Sequence, residues 1–177
     1  MLVGMIAAAS GAPMTPRDQE TTRIEFAVVG AADLPLISRW LQRPHVARWF
    51  HTAQEWLDEI RDGLAADWRQ QLLVSIDGRP AGYAQCCDCD RAPVGMWSGC
   101  PAGTWGIDLF IGESEFLGRG LSRTVMRHLI ARCWQDPCIR WLTVDPEEDN
   151  PVALRVFRYA GFRPVPGIPG LWLLPRP

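Results

Sequence analysis

At 177 residues the chain is long enough to bury a core without help from disulfides or metals, and its 47% hydrophobic and 21% charged residues exclude a disordered or membrane-embedded protein. A net charge of −2 with no basic cluster excludes a nucleic-acid footprint. Nine tryptophans are many for this length, and tryptophan suits ligand clefts, where an apolar body is buried and one N–H donor stays available.

Residues 1–22 are expected to be a disordered leader ahead of one domain at 23–177. The apolar stretch at residues 1–12 has no Lys or Arg before it and is short for a signal peptide; Met14 offers an alternative start. No later segment approaches a membrane span, and the expected location is the cytoplasm. Residues 24–29 alternate as a first strand. Asp33-Leu34-Pro35 then opens a helix with Leu34, Ile37, Trp40 and Leu41 on one face, which Pro44 is expected to end. Thr52-Ala53-Gln54-Glu55 has the spacing of a capping box and starts a second helix, with Trp56, Leu57, Ile60 and Leu64 facing inward. Its acids Glu55, Asp58, Glu59 and Asp62 read mostly as a solvated face. Residues 71–76 and 79–85 flank Asp77-Gly78, a strong hairpin signal. A loop rich in Cys, Gly and Pro is expected over 86–103, and its length points to function. Trp97 inside it either lines a cleft or pins the loop to the body. The run Cys86-Cys87-Asp88-Cys89 lacks zinc-ligand spacing and a nearby His, so reduced thiols and no metal are expected.

The most informative block follows. An apolar strand at 105–111 leads through Leu117-Gly118-Arg119-Gly120-Leu121-Ser122 into a helix over 121–134, with Leu121, Val125, Leu129, Ile130, Cys133 and Trp134 at helical spacing. A glycine turn feeding a helix start presents unpaired N–H groups and a positive dipole end, which suit a pyrophosphate. A phosphorylated cofactor is therefore expected. After Asp136-Pro137 comes a strand at 139–144, then a helix with Asn150 as N-cap, Pro151 at its first position and Gly161 after its end. Residues 172–174 form a last short strand. The order specifies a single α/β domain with a mixed sheet flanked by helices.

Two carboxylates stand out. Asp108 interrupts an apolar strand, where a carboxylate is costly to bury unless it is paired or faces a wet cleft. Asp145 ends the neighbouring strand, at the edge where open α/β sheets bind ligands. Together they suit a substrate with several ammonium groups. The alternatives are a turn role for Asp145 before Pro146, and for Asp108 a buried hydrogen bond to a loop amide.

These residues resemble the GNAT superfamily of acyl-CoA-dependent N-acyltransferases, whose hallmark is a Gln/Arg-x-x-Gly-x-Gly/Ala turn between strand and helix. Gly118 and Gly120 match it, while Leu117 and Ser122 depart from it. The spacing Asn150…Ala153…Gly161-Phe162 also matches. From Trp40 to Phe162 the chain is most similar to the aminoglycoside 6′-N-acetyltransferases, through Pro44-His45-Val46…Trp49, Gly82-Tyr83-Ala84-Gln85, Gly106-Ile107-Asp108 and Asp145-Pro146…Asn150. A sister group, the siderophore acyltransferases acting on lysine or hydroxylysine, shares much of the pattern.

The resemblance implies acetyl-CoA as co-substrate, held by Phe110, Ile111, Leu117, Gly118, Arg119, Gly120, Leu121, Ser122, Asn150 and Ala153, with no metal. It implies a polycationic aminoglycoside acceptor against Asp108, Asp145, Trp49, Gln85 and Trp97, and a monomer or homodimer without nucleic-acid or membrane partners. Acetyl transfer needs a deprotonated amine, and Asp108 is expected to take its proton, directly or through water. A backbone N–H between residues 107 and 111 would serve the oxyanion. The tyrosine that many GNAT enzymes use as acid is Phe157 here, and Tyr159 lies roughly 200° further around the helix. A thiol pKa near 8.5 still lets the thiolate leave unaided. Besides the siderophore reading, a non-catalytic acyl-CoA-binding protein is the competing class.

Overall fold

The computed structural model describes residues 22–50, 52–92 and 99–177. The expected leader, apart from Thr22, therefore lies outside the described residues, as does Trp97. The first strand, β1 (Ile24–Val28), is followed by a 3-10 turn at Ala31–Asp33 and then by α1 (Leu34–Leu41), which buries Ile37, Trp40 and Leu41 completely. Pro44 does not simply end this helix. It occupies the first position of a second, short one, α2 (Pro44–Ala47), because Arg43 before it is extended and the proline ring presets a helical φ.

The helix α3 (Ala53–Asp62) starts where the capping-box spacing placed it, but no box forms. Thr52 is left-handed, with φ of 62°, and its side chain caps nothing. Four further strands and two helices complete the centre of the molecule: β2 (Arg69–Ile76), β3 (Arg79–Asp88), β4 (Thr104–Ile111), α4 (Leu121–Cys133), β5 (Trp141–Val144) and α5 (Pro151–Ala160). The chain closes with β6 (Arg163–Pro164) and β7 (Trp172–Pro175). Asp77 and Gly78 both take positive φ, 51° and 78°, at the β2–β3 hairpin. The loop expected from residue 86 begins later. Cys86 and Cys87 continue β3 as buried residues on opposite faces, which small apolar thiols do readily.

The strands form one sheet in the order β1-β2-β3-β4-β5-β7-β6, antiparallel except for the β4–β5 pair. Helices cover both faces. On one side α4 and α5 pack Leu121, Val125, Leu129, Val156 and Phe157 against Leu72, Val74, Ile107, Leu109 and Val144. Cys133 belongs to this layer, with its Sγ 3.4 Å from that of Cys86. On the other side α1, α2 and α3 pack Ile37, Trp40, Val46, Trp56 and Ile60 against Tyr83 and Phe110.

The exit of β4 is held by this second layer. Trp40 Nε1 donates to Glu113 Oε1 (2.8 Å), and Arg43 Nη1 reaches both Glu113 Oε2 (2.6 Å) and the Gly112 carbonyl (2.9 Å). Only glycine fits at 112, where an added Cβ would stand 2.2 Å from Trp40 Cγ. Among the described residues no helix is long and apolar enough to cross a membrane.

Candidate functional site

The segment after β4 is built to expose backbone. A short 3-10 turn, Ser114–Phe116, buries Phe116 and then Leu117 in the core, so both side chains are committed inward. Gly118 and Gly120 then adopt φ of 72° and 76°, a left-handed conformation that glycine takes without strain. Gly120 is the N-cap of the thirteen-residue α4, and no side chain caps that end. The first turn carries no acidic residue, and the N–H groups of Leu121 and Ser122 precede any intrahelical acceptor. Arg119, exposed between the glycines, adds a cation. The result is a positively polarised rim of amides, suited to the phosphates of a nucleotide cofactor.

Next to this rim the sheet opens. The parallel β4–β5 pairing covers only Thr104↔Trp141, Trp105↔Leu142 and Gly106↔Thr143, although β4 runs five residues further. Gly112 N–H bonds Ala81 O on β3 (2.8 Å). By strand alternation Leu109 and Ile111 direct their N–H groups the other way, into the gap that β5 leaves. An extended acyl-carrying arm can add to such an edge as a strand does, with a fixed amide beside its thioester carbonyl. Phe110 and Ile111 have fully buried side chains, so they can meet a cofactor only through backbone. Asn150 caps α5 through Oδ1, which accepts the Ala153 N–H at 3.0 Å, while its buried Nδ2 has no hydrogen-bond partner among the described residues. Ala153 itself is buried in the core.

Asp108 interrupts β4 near its middle, as its place in the apolar run implied, and is 1% exposed. It stands two residues past the last β4–β5 pair, just as Asp145 stands two residues past Thr143 on β5. The two carboxylates thus occupy equivalent positions on diverging strands. The partner of Asp108 is not a loop amide but Gln85, which faces it across the β3–β4 register and donates from Nε2 to Oδ2 at 2.7 Å. Tyr83 in turn donates to Gln85 Oε1 at 3.0 Å. Desolvation pushes the Asp108 carboxyl up to about 7, against the opposing hydrogen bond from Gln85. A carboxylate titrating near neutrality suits a general base. At 1% exposure it could reach an amine only if that amine displaced its cover, or through a water.

Trp49, half-buried, lines a cleft of about 480 Å³ with Arg48, Glu147, Glu148 and Asp149. The Arg48 guanidinium lies 4.6 Å from the Trp49 ring centroid. Sequence reasoning missed these three acids, although their contiguity between Pro146 and Asn150 was visible. It also missed the role of Glu59, read as part of a solvated face. Glu59 pairs at 2.9 Å with Arg69, whose side chain is 4% exposed. Asp108 and Gln85 do not line the Trp49 cleft. A larger cavity of about 530 Å³ lies between α5 and the β6–β7 region; it shares Glu148 with the Trp49 cleft and is not lined by Asp108 or Gln85.

Phe157 is 1% exposed, edge-on to Phe162, and offers no hydroxyl. Tyr159 is 63% exposed beneath Arg123. Helix α5 therefore places no tyrosine acid inward. Among the described residues, no group of three or more His, Cys, Asp or Glu is placed to hold a metal.

Comparison with known proteins agrees with this fold. A family model described as an acetyltransferase (GNAT) domain matches residues 30–169. The chain is 28% identical over 138 residues to an aminoglycoside N(6′)-acetyltransferase type 1 of Klebsiella pneumoniae, covering 73% of this chain and 69% of that one. It is 24% identical over 171 residues to a lysine N-acyltransferase, MbtK, of Mycobacterium sp. (strain MCS), covering 84% and 70%. Among solved structures, an aminoglycoside acetyltransferase in complex with coenzyme A and kanamycin is 25% identical, with a TM-score of 0.77 over 87% of this chain and 95% of that chain.

Proposed function

We propose that this chain, which belongs to the GNAT acetyltransferase family, transfers the acetyl group of acetyl-CoA to the 6′-amine of an aminoglycoside and so confers resistance. The observation that carries the reading is the pair Asp108 and Asp145, at matching positions beside the gap between β4 and β5. The similarity to aminoglycoside N(6′)-acetyltransferases supports it. Acetyl-CoA lies with its pyrophosphate on the amides of residues 117–122 and its thioester in the gap. The acceptor's ammonium groups meet Asp145 and the acids beside Trp49. Asp108 removes the amine proton, a β4 amide holds the oxyanion, and coenzyme A leaves as the thiolate. The enzyme works in the cytoplasm as a monomer or homodimer, without a metal.

A second reading, a lysine side-chain acceptor of the siderophore type, is favoured by the likeness to MbtK. Thiol release from acetyl-CoA, screened with aminoglycosides, polyamines and lysine derivatives, separates the two. Release with aminoglycosides alone is expected. Exclusive use of a lysine derivative would overturn the assignment, and no release with any amine would make the protein a binder.

Asp145→Asn keeps the shape of the side chain and removes its charge. Loss of one charge-assisted hydrogen bond, about 1.5–3 kcal/mol, corresponds to a roughly 10- to 100-fold weaker use of the aminoglycoside. The affinity for acetyl-CoA stays unchanged. Steady-state kinetics with each substrate varied checks this, and wild-type kinetics in the variant would remove Asp145 from the acceptor site.

A further inference from the structure

We propose that Gln85 is a positioning residue for Asp108 rather than a contact for the acceptor: locked by the Tyr83 hydroxyl, it occupies Oδ2 and leaves Oδ1 as the acceptor of the amine proton. The role rests on Asp108 being the base. Tyr83 and Gln85 lie two apart on β3, so both point to the face covered by α1–α3, and both are completely buried. Neither can reach a ligand in the Trp49 cleft without leaving the core.

The polarity of the chain of bonds is set by chemistry. An ionised carboxylate only accepts, so Gln85 must turn its NH2 toward Asp108. Its Oε1 then faces Tyr83, whose hydroxyl must donate. Burial keeps that hydroxyl protonated, since it pushes the Tyr83 pKa well above its ordinary value, with the Asp108 charge adding to the effect. A glutamine held in this way cannot rotate to present its carbonyl to the carboxylate. Oδ1 of Asp108, buried as well, has no hydrogen-bond partner among the described residues. One oxygen is therefore anchored and the other is open to a proton.

Among the described residues, the remaining charged and titratable groups around Asp108 come from three elements. Arg69 on β2 favours the ionised carboxyl and Glu59 on α3 opposes it, and these two are paired with each other at 2.9 Å. On β3, Cys87 stands near Tyr83. With the two opposite charges joined, the nearest group favouring the ionised form is the Gln85 amide.

The test follows the carboxyl itself as well as turnover. In the full-length enzyme, Asp108 is titrated by carboxyl difference infrared spectroscopy, its band assigned by its absence in Asp108→Asn. Gln85→Leu, which removes the donor, is expected to raise the midpoint by about one pH unit, and Tyr83→Phe to raise it less but in the same direction. The acidic limb of kcat/KM should move equally, with KM for the aminoglycoside nearly constant. Tyr83→Phe retains the ring stacked 5.5 Å from Phe110, so it decides the matter if Gln85→Leu does not fold. An unmoved midpoint in a folded variant, or a raised KM with an unmoved limb, overturns the proposal. A moved midpoint with an unmoved rate limb leaves the bond in place and overturns the reading of Asp108 as base.

Discussion

Asp108→Asn lowers kcat/KM for acetyl transfer by about 10²–10⁴-fold, the range spanned by a positioned general base, while acetyl-CoA affinity is unchanged. An aliphatic ammonium loses its proton reluctantly at neutral pH, and its lone pair must be free before it attacks the thioester. The buried carboxyl, pushed up to about 7, matches that task better than an ordinary aspartate would. Asparagine preserves volume and can still accept from Gln85, so the substitution isolates the proton acceptor. The wild-type rate should show an acidic limb with a midpoint near 7 that disappears in the variant. A loss below about tenfold, with the limb retained, would mean that another group or bulk water takes the proton.

Gly120→Asp abolishes useful cofactor binding, with a loss of roughly 100-fold or more, and leaves the fold intact. Gly120 is the N-cap of α4 at φ of 76°. Aspartate is among the few L-residues that enter this region, and it is a favoured N-cap. Its carboxylate would therefore take the free amides of the first turn and compete from within for the proposed pyrophosphate site. Gly120→Asn separates shape from charge and should lose much less. Calorimetric titration with coenzyme A, beside far-ultraviolet circular dichroism, measures both quantities. Equal affinity in wild type and a folded Gly120→Asp protein would place the phosphates elsewhere.

Local chemistry explains what was legible in the sequence. The Asp77-Gly78 hairpin, the Asn150 cap, the Gly118 and Gly120 turn and the buried stripe of α4 depend on residues within a few positions of one another. Thr52 failed as a capping side chain because its backbone turned left-handed, which the spacing to Glu55 does not record. Pro44 read as a stop and was a start, since both uses share the same φ. The bond between Gln85 and Asp108 requires the β3–β4 register, and a slip of one residue would send them to opposite faces. The gap at Gly106 and Thr143 was illegible for the same reason, as it is a property of two strands and not of either one. Glu59 looked solvated because Arg69 lies ten residues away on another element.

The burial of Asp108 also shapes the thermodynamic stability of the whole chain. Its folded pKa, about 7, exceeds the ordinary 3.8, so between those values the folded chain holds a proton that the unfolded chain has released. This group's contribution to stability is fully present below about pH 4 and is lost as the pH rises through 7, by roughly 4 kcal/mol in all. Asp108→Asn is spared that loss. Its melting temperature should exceed that of wild type by a margin that widens from pH 4 to pH 7, read by calorimetry at matched ionic strength. A constant margin would show that the carboxyl is ordinary in the folded state. The pH range in which Asp108 is ionised is thus the range in which this group contributes least to stability, and an ammonium group seated against Oδ1 would restore what ionisation removes.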